Sequence, residues 1–139
     1  MNADHYEGHD AEKTLLLVED EAIIAMVEAQ MLESFGYRVV TALSGEEAVE
    51  LVMENDAISL VLMDIDLGSG MDGAEAAQRI LDVRNLPVIF LTSHSERAMV
   101  EKVQGITRFG YVIKSTGDFV LRSTVEMAYE LFEKQRRSS

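Results

Sequence analysis

Short apolar runs alternate along the chain with longer stretches in which apolar residues return every three or four positions. Residues 15–18, 39–41, 60–63, 88–91 and 111–113 have the length and composition of strands. The runs at 60–63 and 88–91 are apolar at every position, as a strand covered on both faces requires. Between the runs, Ile24, Val27, Met31 and Phe35 stand at helical spacing. So do Ala48, Leu51 and Val52, then Ala77, Ile80 and Leu81, and finally Leu121, Val125, Ala128 and Phe132. A less regular segment at 96–103 completes the alternation.

The residues between these runs agree with that division. Ser44 followed by Glu47 has the form of a capping box opening the second helix, and Ser93 with Glu96 has it for the fourth. Gly36 stands just past the first helix, where a left-handed cap favours a residue without a side chain. Strands and helices in strict alternation predict an α/β fold, one parallel sheet with helices on both faces. The pattern contains no internal repeat and no second domain. It divides into an acidic extension at 1–12, a folded unit at 13–134 and a tail at 135–139, the last helix fraying from Glu133 onward.

Composition narrows the function classes. A chain of 139 residues, 47% apolar and 27% charged, is a globular mixture of one-domain size. Its net charge of −13 repels phosphate backbones, which argues against direct nucleic-acid binding. No apolar run approaches membrane-spanning length, and the polar start lacks the pattern of a signal peptide, so a cytoplasmic location is expected. The absence of cysteine excludes disulfides and thiolate metal sites.

The chemistry gathers at one edge. Glu19 and Asp20 follow the first predicted strand, Asp64 ends the third, Thr92 the fourth and Lys114 the fifth. Open parallel sheets bind ligands outside the carboxyl ends of their strands. Taken singly, Glu19 and Asp20 could be the acid-rich start of a helix, and Thr92 an ordinary strand threonine. Lys114 alone could be a surface lysine. Asp64, at the lip of an apolar strand beside two further carboxylates, is harder to explain by solvation. A divalent cation relieves the repulsion and desolvation there, and Mg²⁺ suits a few carboxylates that share it with phosphate oxygens. A cation, an ammonium, a hydroxyl and a carboxylate nucleophile at Asp64 together form the inventory of phosphoryl transfer.

With these residues assembled, the chain resembles the receiver domains of response regulators over nearly its whole length. The matching segments are Leu-Leu-Val-Glu19-Asp20-Glu, Leu-Met-Asp64-Ile-Asp-Leu, Met-Asp-Gly73, Phe-Leu-Thr92-Ser and Gly-Tyr111-Val-Ile-Lys114. The resemblance implies a doubly wound, flavodoxin-like (βα)5 fold with five parallel strands in the order 2-1-3-4-5. It implies that Asp20, Asp64 and the backbone carbonyl of Asp66 hold Mg²⁺, with Glu19 nearby or acting through water. Thr92 and Lys114 would engage the phosphoryl group on Asp64. Thr92 and Tyr111 would couple its arrival to a target face made by the fourth helix, fifth strand and fifth helix. The phosphoryl donor would be a sensor histidine kinase or a phosphotransfer protein, and a homodimer is compatible with the family.

Three departures stand out. Ser115 occupies the place of a family proline, so the Lys114–Ser115 peptide is expected to be trans, since a cis bond there costs about 3–4 kcal/mol. The loop from Asp66 to Gly73 lacks the usual proline and is one residue longer. Asp66 and His94 stand at rim positions, either as plain surface residues or as tuners of the hydrolytic water. The main rival reading is a Mg²⁺-dependent phosphohydrolase, because Asp64-Ile-Asp66 resembles the paired aspartates of haloacid-dehalogenase-type phosphatases. That motif, however, normally lies on a first strand rather than a third. A flavin-binding module fits less well, because the loop after the first strand is acidic.

Overall fold

A computed structural model describes residues 13–68, 70–92, 101, 111–113 and 117–138, with backbone alone at 111–113 and 138. In chain order the elements are β1 (Thr14–Val18), α1 (Ala22–Ser34), β2 (Arg38–Ala42), α2 (Gly45–Glu54), β3 (Ile58–Asp64), α3 (Gly73–Val83), β4 (Val88–Thr92), β5 (Tyr111–Ile113) and α4 (Asp118–Ser138). Strands β2, β1, β3 and β4 lie side by side in that order, all parallel. The short β5 backbone pairs beyond β4, with Thr92 opposite Ile113. The segment expected at 96–103, the Ser93–Glu96 cap, His94, Lys114 and the Lys114–Ser115 bond lie outside the described residues; Glu101 alone of that segment is described, and it is helical.

Why the central strands are apolar throughout is plain from the two cores. Leu16, Val18, Val61, Met63, Val88 and Phe90 face one side and pack with Ala48, Val52, Ala77 and Ile80 of α2 and α3. Leu15, Leu17, Leu60, Leu62, Ile89 and Leu91 alternate with them and face Leu32 of α1 and Leu121, Val125 and Ala128 of α4. Each such leucine or isoleucine contributes about 1.5–3 kcal/mol relative to an exposed one.

The helix ends follow their sequence signals. Ser44 Oγ accepts the Glu47 N–H (3.1 Å), while Glu47 Oε1 accepts the Leu43 N–H (2.9 Å), one residue before the expected capping-box partner. At the end of α1, Gly36 takes φ 103°, with Gly36 N–H donating to Glu33 O and Tyr37 N–H to Leu32 O. That is the paired bonding of a Schellman cap. Arg84 closes the far side, its guanidinium donating to the carbonyls of Val52, Asn55, Asp56 and Ile58.

Two expectations need correction. The inward face of α1 is not Ile24 and Val27, which are exposed, but Ala25 and Leu32, with Ala29, Met31 and Phe35 partly buried beside them. And the last helix does not fray from Glu133: α4 continues to Ser138.

Tyr129 of α4 exchanges a 2.6 Å hydrogen bond with Ser59 Oγ, and burial pushes its phenol above the ordinary value of 10.0. The folded state therefore holds this proton more tightly than the unfolded chain. Its stabilising contribution is whole below pH 10.0 and is lost as pH rises above that value. We expect unfolding free energy, followed by denaturant titration, to fall on the alkaline side of pH 10.0, and Tyr129→Phe to flatten that limb. An alkaline limb of the same steepness in the variant would rule the tyrosine out as its cause.

Candidate functional site

Continuing the strand register places the site. Val18 of β1 pairs with Met63 of β3, so one step further Glu19 and Asp64 stand on neighbouring strands, which run about 4.8 Å apart. Asp64 in turn pairs with Leu91, the residue before Thr92. Glu19 is 1% exposed, Asp64 4% and Thr92 1%. Glu19 and Asp64 are the buried carboxylates among the described residues, and the register sets them on adjoining strand ends at the edge where the sequence predicts the chemistry. A protein that buries two negative charges side by side incurs a real cost. Two unit charges about 5 Å apart repel by about 3 kcal/mol at an effective dielectric near 20, before desolvation is counted.

Local hydrogen bonds fix the two acids differently. Asp64 Oδ1 accepts the Asp66 N–H at 3.0 Å, which turns the chain sharply as it leaves β3. Glu19 Oε2 accepts the Glu21 N–H at 3.2 Å, so this acid satisfies an amide at the start of α1, where Glu21 itself makes no side-chain cap. Asp20 is exposed and leans over the loop that follows β3: a Cβ built on Gly68 would lie 2.8 Å from its Oδ2. Gly68 has φ 70°, so both its backbone and this close approach favour glycine.

Among the described residues, Glu19, Asp20 and Glu21 bring one carboxylate oxygen each within 4.8 Å of one another. Opposite corners of an octahedron with bonds of about 2.1 Å are roughly 4 Å apart, so this spacing lies close to what a Mg²⁺ site needs. The donor set is all oxygen and partly buried, which fits a hard divalent cation. Glu21 was not among the residues singled out from sequence, although it directly follows the acidic pair. Among the described residues, no triad containing Asp64 meets the same spacing. Tyr111 contributes its backbone to β5 opposite Phe90. A cleft of about 850 Å³ lined by Lys13, Tyr37, Arg122 and Tyr129 sits at the other end, where β1 and β2 begin, and is separate from this chemistry.

A parallel α/β sheet with buried acids and a threonine at its carboxyl edge belongs to the open α/β folds that bind ligands there, and comparison with known proteins makes the class specific. Residues 15–126 match the response regulator receiver domain, and the chain belongs to that family. It is 36% identical over 123 residues to the transcriptional regulatory protein PdtaR of Mycobacterium tuberculosis, covering 88% of this chain and 59% of the relative. It is 31% identical over 124 residues to the sensor kinase CckA of Brucella abortus, covering 88% of this chain and 13% of the kinase. Among solved structures, the N-terminal domain of a response regulator/sensory box/GGDEF protein from Carboxydothermus hydrogenoformans superposes with a TM-score of 0.82 at 47% identity. That match covers 88% of this chain and 98% of the other. The chain thus spans less than two thirds of the regulator and a small part of the kinase. The phosphohydrolase alternative gains no support from these relatives. No helix among the described residues is long and apolar enough to cross a membrane.

Proposed function

We propose that this receiver domain is a phosphoacceptor switch in which Asp64 takes a phosphoryl group from a phosphohistidine. The observation that supports this most is the burial of Asp64 and Glu19 on adjoining strand ends, with the buried Thr92 one residue past Leu91, the strand partner of Asp64. In the step, an Asp64 carboxylate oxygen forms the new O–P bond as the N–P bond of the donor breaks, and the departing imidazole takes up a proton. Asp20, Asp64 and the Asp66 carbonyl would hold Mg²⁺, with Glu19 beside them or acting through water, and the bound ion would supply charge neutralisation for the transferring group.

Thr92 donates its hydroxyl to a phosphoryl oxygen and Lys114 supplies the fixed positive charge. Tyr111 passes the change to the target face that the family resemblance assigns to the fourth helix, fifth strand and last helix, where a downstream target docks. Asp66 and His94 line the rim and adjust access of the hydrolytic water. The full unit spans 13–134 as a (βα)5 repeat with strand order 2-1-3-4-5. It works as a switch with slow self-dephosphorylation, in the cytoplasm, and not as a turnover enzyme. The names of its relatives make a sensor kinase the natural donor and a regulator the natural context.

Incubation with a small acyl phosphate and Mg²⁺ tests this reading. We expect phosphoryl incorporation approaching one group per chain, lost on hydroxylamine treatment and absent when Mg²⁺ is chelated. Continuous release of phosphate at many equivalents per chain, without accumulation of label, would return the phosphohydrolase to contention.

A further inference from the structure

The loop that leaves β3 is fixed close to its ends by its own neighbours. Asp66 N–H is held by Asp64 Oδ1, and Asp72 Oδ1 caps α3 by accepting the Glu75 N–H at 2.8 Å. Between those anchors stand Gly68 at φ 70° and Gly70 at φ 84°, two residues whose backbones have wide freedom. The fixing group comes from another element: Glu46, in the first turn of α2, accepts the Met71 N–H on Oε2 at 3.2 Å. A Cβ on Gly70 would lie 3.1 Å from that same oxygen, and one on Gly45 would lie 3.2 Å from Met71 O. The start of α2 therefore rests directly on the loop. On the loop's other side, Gly68 meets Asp20 Oδ2.

We propose that Glu46 is a positioning residue for the cation site, holding the loop from the α2 side so that Gly68 and the Asp66 carbonyl keep their places against Asp20. This rests on the magnesium reading given above and deepens it. The neighbouring glutamates divide the work. Glu47 is spent on its own helix, accepting the Leu43 N–H, whereas Glu46 reaches across 25 positions of sequence to a loop. Glu46 is exposed, so its removal leaves the cores intact and acts on the loop alone. An external support matters here because the segment has no proline and two glycines with positive φ, and so little internal stiffness.

The test compares wild type, Glu46→Ala and Glu46→Gln by amide chemical shifts during Mg²⁺ titration and by hydrogen exchange in metal-free protein. Glutamine keeps an oxygen able to accept the Met71 N–H but loses the charge. We expect Glu46→Ala to weaken Mg²⁺ binding about tenfold, in the manner of a lost outer-shell support, and to speed exchange of the Met71 amide. Glu46→Gln should stay near wild type in both readouts, and thermal unfolding of the metal-free variants should move little. Equal weakening in both variants would make the role one of charge, and no weakening in either would make it a surface contact; each result overturns the proposal. A wild-type protein showing no Mg²⁺-dependent shifts at Asp20 and Asp64 sinks the cation reading and this inference together. A wild-type response that Glu46→Ala leaves untouched sinks the inference alone.

Discussion

Gly73→Ala is expected to destabilise the fold by about 3 kcal/mol or more, toward the severe end of overpacking. The added Cβ would stand 2.2 Å from Asp64 O, 2.9 Å from Ile65 Cα and 3.1 Å from Asp64 C. All three are backbone atoms, so no flexible side-chain tip can swing away to make room. The methyl must push either α3 or the end of β3. Both are bound in place, since Gly73 N–H donates to Ile65 O (3.3 Å) and Ile65 N–H to Leu91 O (3.1 Å). A shift of the β3 end carries the Asp64 carboxylate with it, because the clashing atoms belong to Asp64 and Ile65 themselves. Thermal unfolding followed by circular dichroism should show a drop of roughly 10 °C. Phosphoryl incorporation should fall in whatever fraction stays folded. A melting temperature unchanged from wild type would mean that α3 does not seat against the β3 exit in solution.

The sequence pattern disclosed the sheet more completely than the helices, for a reason visible in the two cores. A central strand buries successive residues on opposite faces, so an unbroken apolar run such as 60–63 can hardly be anything but covered on both sides. Helix α1 lacks that clarity because it is apolar nearly all round. Ile23, Ile24, Met26 and Val27 are all exposed, while the smaller Ala25 is buried against the sheet. Spacing of the bulky residues therefore misplaced only the first two turns: Ile24 and Val27 are exposed, while Met31 and Phe35 pack against the core as the spacing predicts. The site divides in a similar way. Asp64 announced itself by ending an apolar strand, and Thr92 did the same. The split between a buried Glu19 and an exposed Asp20 depends on how the chain turns off β1, where Glu19 accepts the Glu21 amide. The supports at Glu46 and Gly45 were illegible for a simpler reason. They act on the Gly70–Met71 stretch through the packing of α2 on the β3–α3 loop, and no local motif encodes a contact between elements so far apart in sequence.

The second large effect belongs to Asp64 itself. Asp64→Asn is expected to abolish phosphoryl incorporation outright, from near one group per chain to background, while leaving the fold standing. The amide oxygen of asparagine is a poor nucleophile, and the O–P bond of an acyl phosphate cannot form on it. That same oxygen can still accept the Asp66 N–H, the bond that shapes the strand exit, so the loop keeps its turn. The substitution also removes one of two adjoining buried charges, which lowers the electrostatic demand for a cation at this edge. Mg²⁺ affinity should therefore fall together with the labelling. The two readouts separate the roles of nucleophile and ligand. Lost labelling with undiminished Mg²⁺ binding would confine Asp64 to the nucleophile and leave the cation to Glu19, Asp20 and Glu21, the cluster whose oxygens already lie within 4.8 Å. Labelling that survived in the variant would place the acceptor on another carboxylate and remove the central residue of the proposed switch.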